Sequence, residues 1–364
     1  MDKTKVIYYN STLLKGGTDT YMLEVIRNID KNKFHVDVII KDGDEVDDFM
    51  LNTLKELGSN VYLAKGSFVK RMLFIRKFFK SHKNEYQVAH INATSGATGI
   101  IAYFAKKNGK IENIIFHSHM GGNDNGTGIV DKIGTKLIFK NSSTLAACSK
   151  IASKFMFGEK AENAVILNNS VDTNKFKFDK QIREKIRKQL NISNKDFVVL
   201  HVGRFAPQKN HKLLIEIFAE LLKLEPTAKL VLIGDGVLFE ETKELSNTLN
   251  ISKNVLFMGL QNNVFEFMSA ADCFVMPSLH EGLPIVAVES QANGLPLVLS
   301  KNISTETKLS DNVEFVGLEE TTETWAKTIL KTKEITRKSG EDALKKHNFD
   351  KESAIKVIEK LYTK

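Results

Sequence analysis

Short apolar runs rich in β-branched and aromatic residues recur along the chain, separated by stretches of helix length. A first group reads KVIYYN (5–10), HVDVII (35–40), NVYLA (60–64), QVAHINA (87–93), NIIFHSH (113–119), STLAACS (143–149) and AVILNN (164–169). A second reads FVVLHVG (197–203), AKLVLIG (228–234), NVLFMG (254–259), CFVMPS (273–278), PLVLS (296–300) and VEFVGL (313–318). Segments such as 18–28, 68–81 and 98–107 predict intervening helices. Strands this apolar, separated by helices, predict parallel sheets covered on both faces. Between the groups, SVDTNKFKFDK (170–180) is polar and without a clear period, and reads as a linker. The fold class is therefore α/β: two Rossmann-like parallel-sheet domains facing a cleft. Their expected bounds are 1–170 and 171–345. Residues 346–364 would contribute a C-terminal helix that crosses back to the first domain. Ligands of open α/β sheets bind beyond the carboxyl ends of the strands, so the loops there carry the functional residues.

Composition excludes other classes. The 364 residues are 42% hydrophobic and 26% charged, which suits two packed domains and not a disordered chain. The two cysteines, Cys148 and Cys273, lie far apart in apolar runs and read as buried free thiols, fitting a reducing cytoplasm. The first ten residues enter a strand at once and show no signal segment, and no apolar run reaches membrane-spanning length. The net charge of +8 is concentrated: residues 51–110 hold 11 basic and two acidic side chains, a local surplus of nine. A surplus so placed calls for an anionic partner or surface. With one tryptophan and no nucleic-acid module, nucleic acid is not that partner.

Three strand-end loops carry candidate chemistry. The first, NSTLLKGGTDTYM (10–22), places Gly16 and Gly17 ahead of a helix, with Thr18 or Asp19 as its cap. The second, HVGRFAPQKNH (201–211), sets Arg204 and Lys209 beyond a buried strand, where guanidinium and ammonium groups can meet phosphate oxygens. The third is HEGLPIVAVESQANGLP (280–296). Pro284 begins its helix, and N–H groups near Gly282, Leu283 and Ile285 face a possible phosphate. Glu289 falls on the face of Ile285 one turn below, and Glu281 stands just ahead of the helix. Carboxylates so near a phosphate suit the hydroxyls of a sugar and a ribose.

This ordered set, with E-x7-E from Glu281 to Glu289, the Arg204/Lys209 loop and the Gly16-Gly17 loop, resembles the retaining GT-B glycosyltransferases of family GT4. HSH at 117–119 and NNSVD at 168–172 are similar to its bacterial exopolysaccharide and capsule members. The resemblance implies transfer of a sugar from a UDP-sugar donor to a saccharide acceptor; the basic segment 65–83 adds the expectation that this acceptor is lipid-linked at the inner face of the cell membrane. It implies that Glu281 contacts donor-sugar hydroxyls and Glu289 the ribose. Arg204 and Lys209 would neutralise the diphosphate, and Gly16 and Gly17 would let the backbone approach the donor. His119 would contact the transferred sugar; His117 is expected to face the other side of its sheet. The family's retaining reaction, with the leaving phosphate taking the acceptor proton, accords with the absence of a convincing two-carboxylate pair. Two other readings are a non-catalytic GT-B-like partner subunit, expected to lose the site charges, and a UDP-sugar epimerase, whose acid and base carboxylates cannot be placed.

Two segments remain. Asp42-Gly43-Asp44 is a D-x-D of the kind that holds a metal in other transferases. It opens the acidic run DGDEVDD and reads as a solvated turn, so no metal or other cofactor is expected. Residues 65–83 carry seven basic side chains and no acid. On a helix Phe68, Met72, Ile75 and Phe79 form a core-facing stripe. Phe74 and Phe78 then lie among Lys70, Arg71 and Lys77, an arrangement suited to an anionic membrane surface.

Overall fold

The computed structural model describes residues 3–14, 17–119 and 129–364. They form two compact units: residues up to Asn169 with Glu352–Lys364, and Ser170–Lys351. Each apolar run contains a strand. In the first unit these are β1 (Thr4–Asn10), β2 (Phe34–Ile40), β3 (Val61–Leu63), β4 (Val88–Ala93), β5 (Asn113–Ser118), β6 (Thr144–Ala147) and β7 (Val165–Ile166). They pair in parallel in the order β3-β2-β1-β4-β5-β6-β7. The second unit holds β8 (Val198–Val202), β9 (Lys229–Ile233), β10 (Val255–Phe257), β11 (Cys273–Met276), β12 (Leu297–Ser300) and β13 (Val313–Val316). Their order is β10-β9-β8-β11-β12-β13, again parallel. Strand order reverses between β1 and β4 and between β8 and β11, the switch points where open sheets receive ligands.

Two-sided burial explains the uninterrupted apolar runs. On β1, Val6 and Tyr8 pack with Met22 and Ile26 of the Gly17–Asn28 helix and with Ile358 and Leu361. Ile7 and Tyr9 pack on the opposite face with Ile75, Phe79 and Ile101. Each such side chain contributes about 1.5–3 kcal/mol by leaving water. The C-terminal helix, Lys351–Tyr362, enters the first core through Ile355, Ile358, Leu361 and Tyr362. Asn113 Nδ2 also donates to the Leu361 carbonyl at 2.8 Å.

Several local expectations change. Segment 170–180 is not an open linker. Val171 N–H donates to the Phe349 carbonyl at 2.7 Å, Asp172 caps the short helix Thr173–Phe176, and Phe176 is buried. Two apolar anchors, Val171 and Phe176, fasten an otherwise polar stretch to the second core. The helix expected over 98–107 is irregular: a 3₁₀ turn at Gly96–Thr98, an α-helix at Gly99–Phe104 and a π turn at Ala105–Gly109. It crosses the Ile129–Asn141 helix backbone to backbone, and a Cβ at Gly99 would sit 2.0 Å from the Gly134 carbonyl oxygen. The cysteines form no disulfide; Cys273 is buried, which pushes its thiol up to about 12, whereas Cys148 is only partly buried. No described helix is long and apolar enough to cross a membrane.

Candidate active site

In the second unit the loops after β8 and β11 are tied together. Leu279 N–H donates to the Gln208 carbonyl at 2.8 Å, Gln208 Nε2 to the His280 carbonyl at 3.0 Å, and Asn210 Nδ2 to the Pro277 carbonyl at 3.2 Å. The outcome is that Lys209 lies against Glu281, Nζ to Oε1 at 2.6 Å, with both side chains largely shielded. Glu281 is held from its other side too, its backbone bridging Ile303. Arg204 stands exposed in the same loop. Beneath Lys209, His201 and His211 are buried; His201 Nδ1 lies 2.8 Å from the Val275 carbonyl, and His211 stacks on Phe205. Desolvation holds His201 well below its usual value and His211 at about 4, so both stay neutral under the lysine.

Residues missed in the sequence complete this loop. Gly234, at φ +143°, lets the loop after β9 press on the loop after β8; a Cβ there would lie 2.0 Å from the Gly203 carbonyl oxygen. Gly234-Asp235-Gly236 was a readable signal, two glycines at a strand end. Asp235 then accepts Phe205 N–H at 2.9 Å through its carbonyl.

The third loop leads into the helix Ile285–Ala292, whose first turn has no side-chain cap. Pro284 sits one residue ahead of the helix instead of beginning it, its ψ of 113° leaving the helical range. Its carbonyl accepts Ala287 N–H at 3.0 Å. Gly282, Leu283 and Ile285 are partly exposed, and open space lies where Gly282 would carry a Cβ. An uncapped helix start with cations nearby is an anion-binding arrangement. Glu289 is partly buried one turn in. Burial pushes its carboxyl up to about 7 against the opposing pull of Lys175. Lys175 lies in the segment read as a linker, where no motif marks it.

The first unit presents a different constellation. Asp19, read as a possible cap, lies inside the first turn of the Gly17–Asn28 helix and is buried. Its carboxylate accepts Asn10 Nδ2 at 2.6 Å, Leu14 N–H at 2.8 Å and Thr12 Oγ1 at 3.1 Å. A carboxylate only accepts, which fixes the directions that follow. Asn10 Oδ1 takes Asn92 Nδ2 at 3.2 Å; Asn92 Oδ1 takes the Tyr8 hydroxyl at 3.2 Å and His119 Nε2 at 3.0 Å. His119 therefore carries its proton on Nε2 and keeps Nδ1 as an acceptor. Burial lowers its pKa to about 3, so the ring is neutral. His90 joins Tyr362 at 2.8 Å and His117 at 3.2 Å. Tyr21 packs edge-on against both His117 and His119.

His117 does not face the other side of the sheet: its ring centroid is 4.0 Å from that of His119. Side chains alternate with a period of two, so residues 117 and 119 share a face. Gly17 opens its helix with no neighbour within 4 Å of a built Cβ. Gly16 lies outside the described residues.

The basic helix Phe68–Ser81 forms as expected, and Met72, Ile75 and Phe79 of the expected stripe pack on the core; Phe68 does not, and Phe78 joins them. Ile75, Phe78 and Phe79 are buried, whereas Phe68 is 63% exposed. Phe78 is therefore not a surface residue; it stacks on His82 at 4.1 Å and packs on Tyr62 at 4.6 Å. Arg71 is not a free cation either. Its guanidinium pairs with Asp42, and its Nη2 reaches Asp44 Oδ2 at 2.6 Å. The D-x-D is a turn with Asp44 exposed, and Arg71 adds what the sequence did not show: it holds both carboxylates, and its hydrogen bond keeps Asp44 below the usual carboxylate range. Lys70, Phe74 and Lys77 remain exposed.

Comparison with known proteins gives a consistent result. The family model described as glycosyl transferases group 1 matches residues 182–345, which hold Arg204, Lys209, Glu281 and Glu289. The chain that carries the glycosyltransferase name EpsF in Bacillus subtilis (strain 168) is 30% identical over 339 residues, covering 90% of this chain and 87% of that one. The UDP-Gal:alpha-D-GlcNAc-diphosphoundecaprenol alpha-1,3-galactosyltransferase of Escherichia coli is 27% identical, covering 86% and 83%. The fold is shared with the crystal structure of Anabaena Alr3699/HepE in complex with UDP, at a TM-score of 0.81 over 99% of this chain and 100% of that chain, with 19% identity. With two parallel sheets, charged loops at the carboxyl ends of one and this similarity across nine-tenths of its length, the chain belongs to the glycosyl transferases group 1 family and is a glycosyltransferase of the GT-B fold.

Proposed function

We propose that the protein is a retaining, metal-independent transferase that moves a sugar from a UDP-sugar to a lipid-linked saccharide in bacterial exopolysaccharide or capsule synthesis. It would work as a peripheral protein on the inner face of the cell membrane. The observation that carries the reading is the Lys209–Glu281 pair beside an uncapped helix start, with Glu289 one turn further on. Arg204 and Lys209 balance the diphosphate, helped by N–H groups at Gly282–Ile285. Glu281, fixed by Lys209, accepts hydroxyls of the donor sugar, and Glu289 accepts those of the ribose. Gly17, with nothing within 4 Å of where a Cβ would stand, leaves room for a ligand at the start of its helix. His119, through its Nδ1, accepts a hydroxyl of the transferred sugar.

In the reaction the bond from the anomeric carbon to the phosphate oxygen breaks, and the acceptor oxygen bonds to that carbon on the same face. The acceptor proton passes to the departing phosphate. Fixed cations stabilise the charge that develops there, and losing one such contact commonly costs about 10²–10³ in rate. The E. coli relative's name supports both the UDP donor and a diphosphate-lipid acceptor. Exposed Lys70, Phe74 and Lys77 support contact with an anionic surface.

The test is a screen of nucleotide sugars for hydrolysis and transfer with purified protein, with and without a chelator. A UDP-sugar is expected to be consumed in both arms, and the product to retain the donor's anomeric configuration. Exclusive use of another nucleotide, an inverted product, or chelator inhibition reversed by manganese would each overturn the corresponding part.

A further inference from the structure

The basic helix leaves an apolar cavity of about 290 Å³ against the helices Gly99–Phe104 and Ile129–Asn141. Phe68, Met72, Ile100, Ile133 and Leu137 line it, with Lys41 on its polar side. Its place in the sheet is informative. Tyr9 near the end of β1, Lys41 just past β2 and Thr94 just past β4 all reach it, so it lies at the switch point of the first sheet.

The rim is unusual for a water-facing surface. Phe68 is 63% exposed, Val130 65% and Ile133 56%, and all three line the cavity. Val69, Leu73 and Phe74 extend the apolar exposure along the basic helix. Water is poorly suited to an apolar space of this kind, and contiguous exposed apolar side chains mark interaction sites. The basic helix and the turn before it expose Lys65, Lys70, Arg76, Lys77 and Lys80, and the helix carries no acid, while Asp42 and Asp44 lie beside Lys41 and Arg71. Lys41 lines the cavity 3.4 Å from Asp42, within a cluster of Lys41, Arg71, Asp42 and Asp44 whose formal charges balance, so an anionic head would meet the lysine by exchanging places with Asp42.

We propose that this cavity takes the first part of the hydrocarbon chain of an acceptor lipid whose diphosphate head is met by Lys41. The assignment rests on the reading above that the acceptor is lipid-linked. Free diphosphate would use the cations and not the apolar walls; an uncharged hydrocarbon would use the walls and not the cations. An amphiphile with an anionic head uses both.

Equilibrium dialysis of the full chain against labelled farnesyl diphosphate and inorganic diphosphate tests this. Farnesyl diphosphate is expected to bind at least about tenfold more tightly, the factor that follows from burying one apolar side chain's worth of surface. Phe68→Ser and Ile133→Ser alter exposed residues and are expected to keep the parental melting temperature. Each should weaken farnesyl diphosphate about tenfold and leave inorganic diphosphate unchanged. Ala97→Phe, which fills the cavity without changing charge, should do the same, and Lys41→Gln should weaken both probes. Equal affinity for the two probes, or parental farnesyl diphosphate binding in the apolar variants, overturns the assignment. So does ready displacement of the probe by phosphatidylglycerol vesicles, which would give the cavity to bulk bilayer lipid. The dialysis contains no nucleotide sugar. Chain-dependent binding without transfer to any polyprenyl-diphosphate saccharide would fell the acceptor reading and leave the cavity assigned; transfer without chain-dependent binding would do the reverse.

Discussion

The two units place polar side chains at the carboxyl ends of their sheets in opposite electrical states. In the second unit the groups are formal charges: Arg204 exposed, and Lys209 and Glu281 paired at 2.6 Å. In the first unit Tyr8, His90, Asn92, His117 and His119 are neutral, because burial drives the imidazoles far below their usual range, and their network reaches a formal charge only through Asn10 at the buried Asp19 carboxylate. The difference follows from where each set sits. Loops leave charges partly hydrated, whereas side chains on or next to a central strand lose their water and their protonation with it. It also matches two ligand chemistries. A diphosphate requires charge, while a saccharide requires donors and acceptors with fixed directions.

The largest expected effect lies on the charged side. Lys209→Ala and Glu281→Ala should each lower kcat/KM for transfer by about 10²–10³ while the melting curve stays cooperative. Near-parental turnover in either variant would break the comparison, since the second unit's charges would then be bystanders. On the neutral side, Asn92→Ala removes the acceptor shared by Tyr8 and His119. A fall of about tenfold in kcat is expected with donor KM unchanged, the order at which partners that orient a working group usually register. Because His119 titrates near 3, the rate should show no histidine limb between about pH 5 and 8. A limb near 6.5 lost in His119→Ala would break the neutral half of the comparison.

The sheets were legible because burial on both faces leaves a signal that needs no partner to interpret: Val6 to Tyr9 are all apolar and all buried. The positions of Lys209, Glu281 and Glu289 after strand ends were legible for a related reason, since loop position and local spacing carry them. Long-range pairing was not. Arg71 meets Asp42 and Asp44 across a separation of 27 to 29 residues, and nothing near either site announces it. Asp19 looked like a cap because it is acidic near a helix start, yet the structure turns its carboxylate back onto Asn10 and Leu14. Phe78 was misread because a helix stripe can be drawn through Phe68, Met72, Ile75 and Phe79. The first turn of that helix leaves the core, so the buried face is set by Ile75, Phe78 and Phe79. Lys175 had no signal at all beyond being one cation in a polar stretch.

The smallest effect concerns Glu289, which belongs to the charged unit but shares the burial of the neutral one. Its carboxyl is raised to about 7 from an ordinary value of 4.5. Between those values the folded chain holds a proton that the unfolded chain has released. Stability from this group is therefore present below pH 4.5 and is lost as pH rises through 7. Donor binding should move the other way, because only the ionised carboxylate accepts two ribose hydroxyls. Raising the pH through 7 is thus expected to lower donor KM a few-fold while lowering the denaturant midpoint. Glu289→Gln keeps the shape and removes the titration, so both slopes should flatten together. If the variant flattens the stability slope and leaves the KM slope intact, Glu289 is a buried acid with no part in holding the donor, and the ribose contact belongs elsewhere in the loop.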